Sequence, residues 1–226
     1  KTAMIKPLFN ARLLAEARRE RPWVLDDEQR RIVSDWTASA ASGALLGQKE
    51  KPLQGQFLSE VFDRLLGYRS IVGAGEIHHL EPETSSRAVK GYKPPDARLG
   101  WYGPGLDRTL AVLELKGPGT DLDARQSVSY GKLTPVEQAF GYAAKVDGCR
   151  WVMVSNFVEL RLYRTDRGQG YGQRFALADL ATPDGLDAFL FLLSRATLLG
   201  SDPAAESPVE RLATQTHIEE ERITQA

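Results

Sequence analysis

Residues 108–116 read RTLAVLELK, a short apolar run that ends on charge. A strand alternates its side chains between faces, so Val112, Glu114 and Lys116 share one face while Ala111, Leu113 and Leu115 share the other. An acid and a base therefore point the same way at the end of an otherwise apolar strand. Burying such groups is costly without a partner or a metal, so packing alone does not account for them. A solvated strand end with a local ion pair is the simpler account. The spacing alone decides nothing: 16 Glu and 9 Lys in 226 residues give about 0.6 chance occurrences of Glu-x-Lys.

Working upstream, Lys93 to Tyr102 (KPPDARLGWY) opens on a double proline that forces an extended approach, and Gly103-Pro104-Gly105 reads as a turn. A hairpin closed by that turn brings Asp96 beside Glu114 and Lys116. Downstream, Thr134 as N-cap, Pro135 at the first helical position and Glu137 three residues on form a capping box, which predicts a helix over Thr134 to Val146. Trp151 to Val154 (WVMV) and Val158 to Tyr163 (VELRLY) read as strands joined by a bend at Ser155-Asn156-Phe157. One strand-helix-strand crossover implies a parallel pair. A final apolar helix is expected over Gly185 to Leu199.

The N-terminal quarter reads as helices over Asn10 to Glu20, Asp26 to Ser42 and Pro52 to Leu66, the third with Phe57, Leu58, Val61, Phe62 and Leu65 at helical spacing. Ile71, Val72, Ile77 and Leu80, punctuated by Gly73 and Gly75, suggest a strand or a bent hairpin arm. The expected fold is α/β, a central mixed β-sheet flanked by helices, with a helical N-terminal segment. Residues 1–44 form that segment and residues 45–200 the main domain. Residues 201–226, polar and without an apolar closing element, read as the start of a connector in a longer protein.

Composition bounds the function. The 226 residues are 42% hydrophobic and 26% charged with a net charge of −1, an ordinary globular balance without the positive field of a stand-alone nucleic-acid-binding module. The single cysteine, Cys149, excludes an internal disulfide and a Cys-rich zinc site and reads as a small buried hydrophobe. No apolar run reaches membrane length and no signal-peptide core is present, so the expected location is cytoplasmic. His78-His79 face opposite sides of a strand and cannot chelate one ion together. Gly117-Pro118-Gly119-Thr120 lacks the spacing and lysine of a phosphate-cradling loop. Arg18-Arg19, Arg21 and Arg30-Arg31 read as solvated helix faces, and Trp23 and Trp36 as core anchors.

Two carboxylates, Asp96 and Glu114, are hard oxygen ligands suited to Mg²⁺, with Mn²⁺ as a substitute, and Lys116 can orient a water and neutralise developing phosphate charge. This is the layout that metal-assisted phosphodiester hydrolysis requires. In that order the residues resemble the PD-(D/E)xK nuclease superfamily: Pro95-Asp96 matches the first element and Glu114-Leu115-Lys116 the second. EQAFGYA adds Gln138 and Tyr142, one turn apart on the capped helix, which looks like the Gln-x-x-x-Tyr element of a subset of those nucleases. The resemblance implies that Gln138 and Tyr142 support the catalytic strand or contact DNA backbone. It also implies a fourth metal-site member on the helix QFLSEVFDRLLGY, for which Glu60 is the candidate.

Together with RWVMVSNFVELRLYR, these segments look like the N-terminal nuclease region of type IIG restriction-modification enzymes, over Leu45 to Leu199. The resemblance implies a restriction-endonuclease-like fold, double-stranded DNA as partner, and methyltransferase and target-recognition domains downstream, with a transient dimer for double-strand cleavage. No Asn-Pro-Pro-Tyr or Asp-Pro-Pro-Tyr motif and no Gly-rich cofactor loop occurs here, so the methylating half is expected outside these residues. The alternatives are a catalytically inactive nuclease-like module that binds DNA or a partner, and a stand-alone repair or defence nuclease.

Overall fold

The computed structural model describes residues 4–72, 75–82 and 94–225; Lys93, at the head of the KPPD segment, and Gly73 lie outside them. The strand predicted from RTLAVLELK is β4 (Leu106–Leu115), paired with β3 (Ala97–Gly103) as an antiparallel hairpin. Pro104 and Gly105 turn it, with Gly105 at φ +71°, where a Cβ would be strained. β2 (His78–Pro82) pairs antiparallel with β3. The capped helix α4 (Pro135–Ala143) shows the predicted box, Thr134 Oγ1 accepting from Glu137 N and Glu137 Oε2 from Thr134 N. It carries the chain to β5 (Trp151–Ser155), which lies parallel to β4.

β6 (Glu159–Arg164) and β7 (Tyr171–Ala176) continue antiparallel, and β1 (Lys6–Pro7) joins β7 in parallel. The result is a seven-stranded mixed sheet in the order β1-β7-β6-β5-β4-β3-β2, flanked by helices as the sequence predicts.

The two faces of β4 bury different cores. Ala111, Leu113 and Leu115 enter the main core with Phe57, Val61, Phe62, Leu65 and the late helices. Val112 enters a smaller one with Val136, Ala139 and Ala143 of α4 and Val152, Val154 and Tyr163. The N-terminal helices α1 (Ala11–Arg19) and α2 (Asp27–Ala41) carry Asn10 and Asp26 as side-chain caps, and Trp36 is buried in the main core. The third predicted helix is α3 (Glu50–Phe57), which runs on as a π-helix over Leu58–Leu65. Its last turns bond five and six residues back, Leu66 N to Val61 O and Tyr68 N to Phe62 O, both at 2.9 Å.

Three expectations need correction. Ile71 and Val72 are exposed rather than in a strand, and Ser70 bridges to Leu80 ahead of β2. The helix expected over Gly185 to Leu199 is two helices, α5 (Pro183–Leu193) and α6 (Arg195–Leu198), broken where Ser194 is extended. Tertiary partners take the backbone groups at the break: Tyr68 Oη donates to Leu193 O at 2.7 Å, and Arg195 N to Leu66 O at 2.9 Å. The polar tail is α7 (Pro208–Gln225), whose few apolar residues suffice to dock it: Val209 and Leu212 lie fully in the main core. Among the described residues no helix is long and apolar enough to cross a membrane.

Candidate active site

The hairpin register decides the site. Arg98 pairs with Val112 and Ala97 with Leu113; one residue further, Asp96 stands opposite Glu114 on the face that holds Val112. Asp96 Oδ2 accepts from Leu115 N at 2.7 Å, which ties its carboxylate across to the end of β4. Lys116 follows β4, its backbone N donating to Ser155 O at 2.9 Å, and its ammonium donates to Glu114 Oε1 at 2.6 Å. Asp96, Glu114 and Lys116 are 5%, 1% and 5% exposed, so the three predicted groups converge in a nearly dry setting. There each charge interacts more strongly than in water.

A loop roofs the group. The segment between Gly117 and Thr134 is pinned by Asn156 Nδ2 donating to Thr120 O (2.9 Å), by buried Leu122, and by a two-pronged pair of Arg161 with Asp123 (2.7 and 3.1 Å). Arg161 is itself buried and also pairs with Glu159 at 2.6 Å. Burial works against its charge, but hydrogen bonds to Asp123 and Tyr163 and the charge of Glu159 hold its pKa above the ordinary value. The pinned loop sets the Tyr130 ring 4.7 Å from Lys116 Nζ, a cation–π contact.

Gln138 and Tyr142 are both buried on α4, and Gln138 Nε2 donates to the Tyr142 hydroxyl. Gln138 Oε1 accepts from Gln126 Nε2 at 2.9 Å, so the amide ties the loop to the helix that covers the Glu114 face. Glu60 is elsewhere. Its Oε2 accepts from Trp36 Nε1 at 2.8 Å and from Gln56 Nε2 at 3.3 Å. The helix that carries it packs in the core on the Leu113 face, opposite Glu114. A four-member site that includes Glu60 is therefore not assembled, and among the described residues no three His, Cys, Asp or Glu side chains are grouped to hold a metal ion.

The donor chemistry of Asp96 and Glu114 still fits a hard divalent ion. Carboxylate oxygens are the ligands that Mg²⁺ takes, and it is commonly held by one or two carboxylates with waters completing its shell.

Sequence reasoning missed Arg161, Asp123 and Tyr130. Arg161 was within reach: in VELRLY the charged residues Glu159 and Arg161 share a face of a buried strand, the same signal as Glu114 and Lys116. Nothing local marks Tyr130, one aromatic residue in a polar loop. In comparison with known proteins, no family model matches the chain, no curated protein matches it and no solved structure matches it.

Proposed function

We propose that the chain is a metal-dependent endonuclease of the PD-(D/E)xK type acting on double-stranded DNA. The observation that carries this reading is the convergence of Asp96, Glu114 and Lys116 on one face at the end of a buried strand pair. The mixed sheet covered by helices, with Gln138 and Tyr142 on the helix over the Glu114 face, supports the same reading.

Asp96 and Glu114 are the residues that would hold Mg²⁺ or Mn²⁺. A divalent ion there supplies charge for a phosphoryl oxygen and lowers the pKa of a bound water. The protein's own contribution is positional. Glu114 anchors the Lys116 ammonium, Tyr130 covers it, and the ammonium donates to the attacking water or to the negative charge that develops on phosphate. The Asp96 bond to Leu115 N–H locks the two strand ends at one spacing.

With a net charge of −1, the chain has little electrostatic hold on a duplex, since nonspecific affinity comes mainly from phosphate neutralisation. This agrees with a cytoplasmic restriction-modification enzyme in which methyltransferase and recognition domains hold and choose the DNA, and the nuclease cuts.

The test is incubation with plasmid DNA in Mg²⁺ or EDTA, followed by sequencing of the ends, for the wild type and Lys116→Ala. Expected are slow cutting without sequence preference and a loss of about 10³-fold or more in the variant, equivalent to about 4 kcal/mol of barrier. Removing one partner of a buried ion pair costs about 3–5 kcal/mol of stability, so the double variant Glu114→Gln with Lys116→Met, which removes the pair together, serves as the folded control. Cleavage by Lys116→Ala within tenfold of wild type refutes the assignment. Duplex binding with no cleavage under any metal identifies a binding module instead, and efficient cutting at one sequence places recognition within these residues.

A further inference from the structure

On the opposite face of the sheet from Glu114, toward the far ends of β2 and β3, lies a cleft of about 500 Å³ lined by Arg69, Glu76, Ile77, His79, Trp101 and Arg195. His79 and Trp101 form its floor, 5% and 6% exposed, with ring centroids 4.8 Å apart in a T-shaped contact. Both ring nitrogens of His79 and the indole Nε1 of Trp101 are buried without a hydrogen-bond partner. Buried polar atoms are almost always satisfied, and a cluster of exceptions points to a ligand, ion or water that belongs there.

The charge around this floor is mostly positive, Arg69 and Arg195 against one lining carboxylate, Glu76. The Arg195 guanidinium lies 6.0 Å from the Trp101 ring centroid and donates one bond, to Gly200 O at 3.3 Å. Arg69 is fixed beside β2 by its carbonyl, which accepts from His79 N (2.8 Å) and Leu80 N (3.1 Å). Among the described residues no carboxylate lies within ion-pair distance of either arginine, Glu76 on the rim included. The positive charges act on one another: burial, then Arg195, Arg69 and His78, push His79 down to about 4, and burial and Arg69 lower Arg195.

We propose that this cleft binds a phosphate group, with the Arg69 and Arg195 guanidinium groups, the indole N–H of Trp101 and one N–H of His79 as its donors. All four are donors converging from different elements, which suits an acceptor-only ligand with several oxygens better than a two-oxygen carboxylate. The phosphate has two sources, a free phosphate or phosphorylated small molecule, or the backbone of a nucleic-acid duplex. The proposal does not depend on the nuclease reading.

The chain has three histidines, so imidazole NMR signals can be assigned with His78→Gln and His217→Gln. The whole chain is titrated in EDTA with inorganic phosphate in one arm and a short DNA duplex in the other, at ionic strength matched with sodium chloride. Saturable movement of the His79 resonances is expected in at least one arm, with its midpoint rising from about 4 by about one unit or more. Arg69→Gln and Arg195→Gln, the first at an exposed position that folding tolerates, should each weaken the effect at least about tenfold. A response to phosphate identifies a small-molecule site and a response to duplex alone identifies a backbone contact; either supports the proposal. No saturable movement in either arm, an equal effect from chloride, or an undiminished response in both arginine variants overturns it.

Discussion

Replacing Asp96 in two ways separates what it does for the fold from what it does for chemistry. Its Oδ2 accepts from Leu115 N at 2.7 Å in a site only 5% exposed. Asp96→Ala removes the acceptor and leaves a buried N–H unmet, which costs about 1–3 kcal/mol. In a chain of this length each kcal/mol moves the midpoint by about 2–4 °C, so Tm should fall by about 2–12 °C. Asp96→Asn keeps a carbonyl oxygen for the same N–H and removes one of two like charges that the register sets opposite each other, a relief that offsets the weaker hydrogen bond. Its stability should stay within about 1 kcal/mol of wild type. Both variants lose a hard ligand and should cut DNA at least about 10³-fold more slowly, and any Tm increase that Mn²⁺ gives the wild type should vanish. Urea unfolding, metal-dependent Tm shifts and plasmid nicking read the three quantities. If Asp96→Asn cuts within tenfold of wild type and keeps its Mn²⁺ response, Asp96 is a fold residue alone and the metal-site argument fails.

Glu60→Gln should leave cleavage within about threefold of wild type and stability within about 1 kcal/mol, because the amide oxygen can still accept from Trp36 Nε1; a loss of a hundredfold in plasmid nicking would return Glu60 to the site. His79 titrates at about 4 in the folded chain against about 6.5 when unfolded. The unfolded state takes the proton first, so this stability is fully present above pH 6.5 and declines as pH falls toward 4, by about 2–4 kcal/mol. Urea unfolding of His79→Phe across that window should lack this part of the slope, and identical slopes would contradict the assignment. Gly100→Ala would place a Cβ 2.0 Å from Arg108 O at the bulge between β3 and β4. A loss of about 3 kcal/mol or more, or failure to fold, is expected in thermal unfolding; a shift under 1 kcal/mol would show that the hairpin can open there.

The sequence by itself determined the elements whose signals are local. Thr134, Pro135 and Glu137 cap a helix wherever it packs, and the period of two in RTLAVLELK assigns Glu114 and Lys116 to one face. With the Pro104-Gly105 turn, the same reasoning brought Asp96 near them, but the bulge at Leu99/Gly100, which nothing local in the sequence marks, shifts the register by one and sets Asp96 opposite Glu114. The tertiary structure decided everything that depends on distant partners. The tail helix reads as polar because, of its four buried residues, Val209 and Leu212 are apolar and Glu210 and Thr216 are not. The break at Ser194 comes from Tyr68, 126 positions earlier in the chain. Glu60 and Glu114 are both acids on well-predicted elements, yet the sheet stands between them. Helical and strand periodicity states which residues share a face of one element, but which face of the sheet a helix covers is settled only when apolar stripes compete for burial in three dimensions.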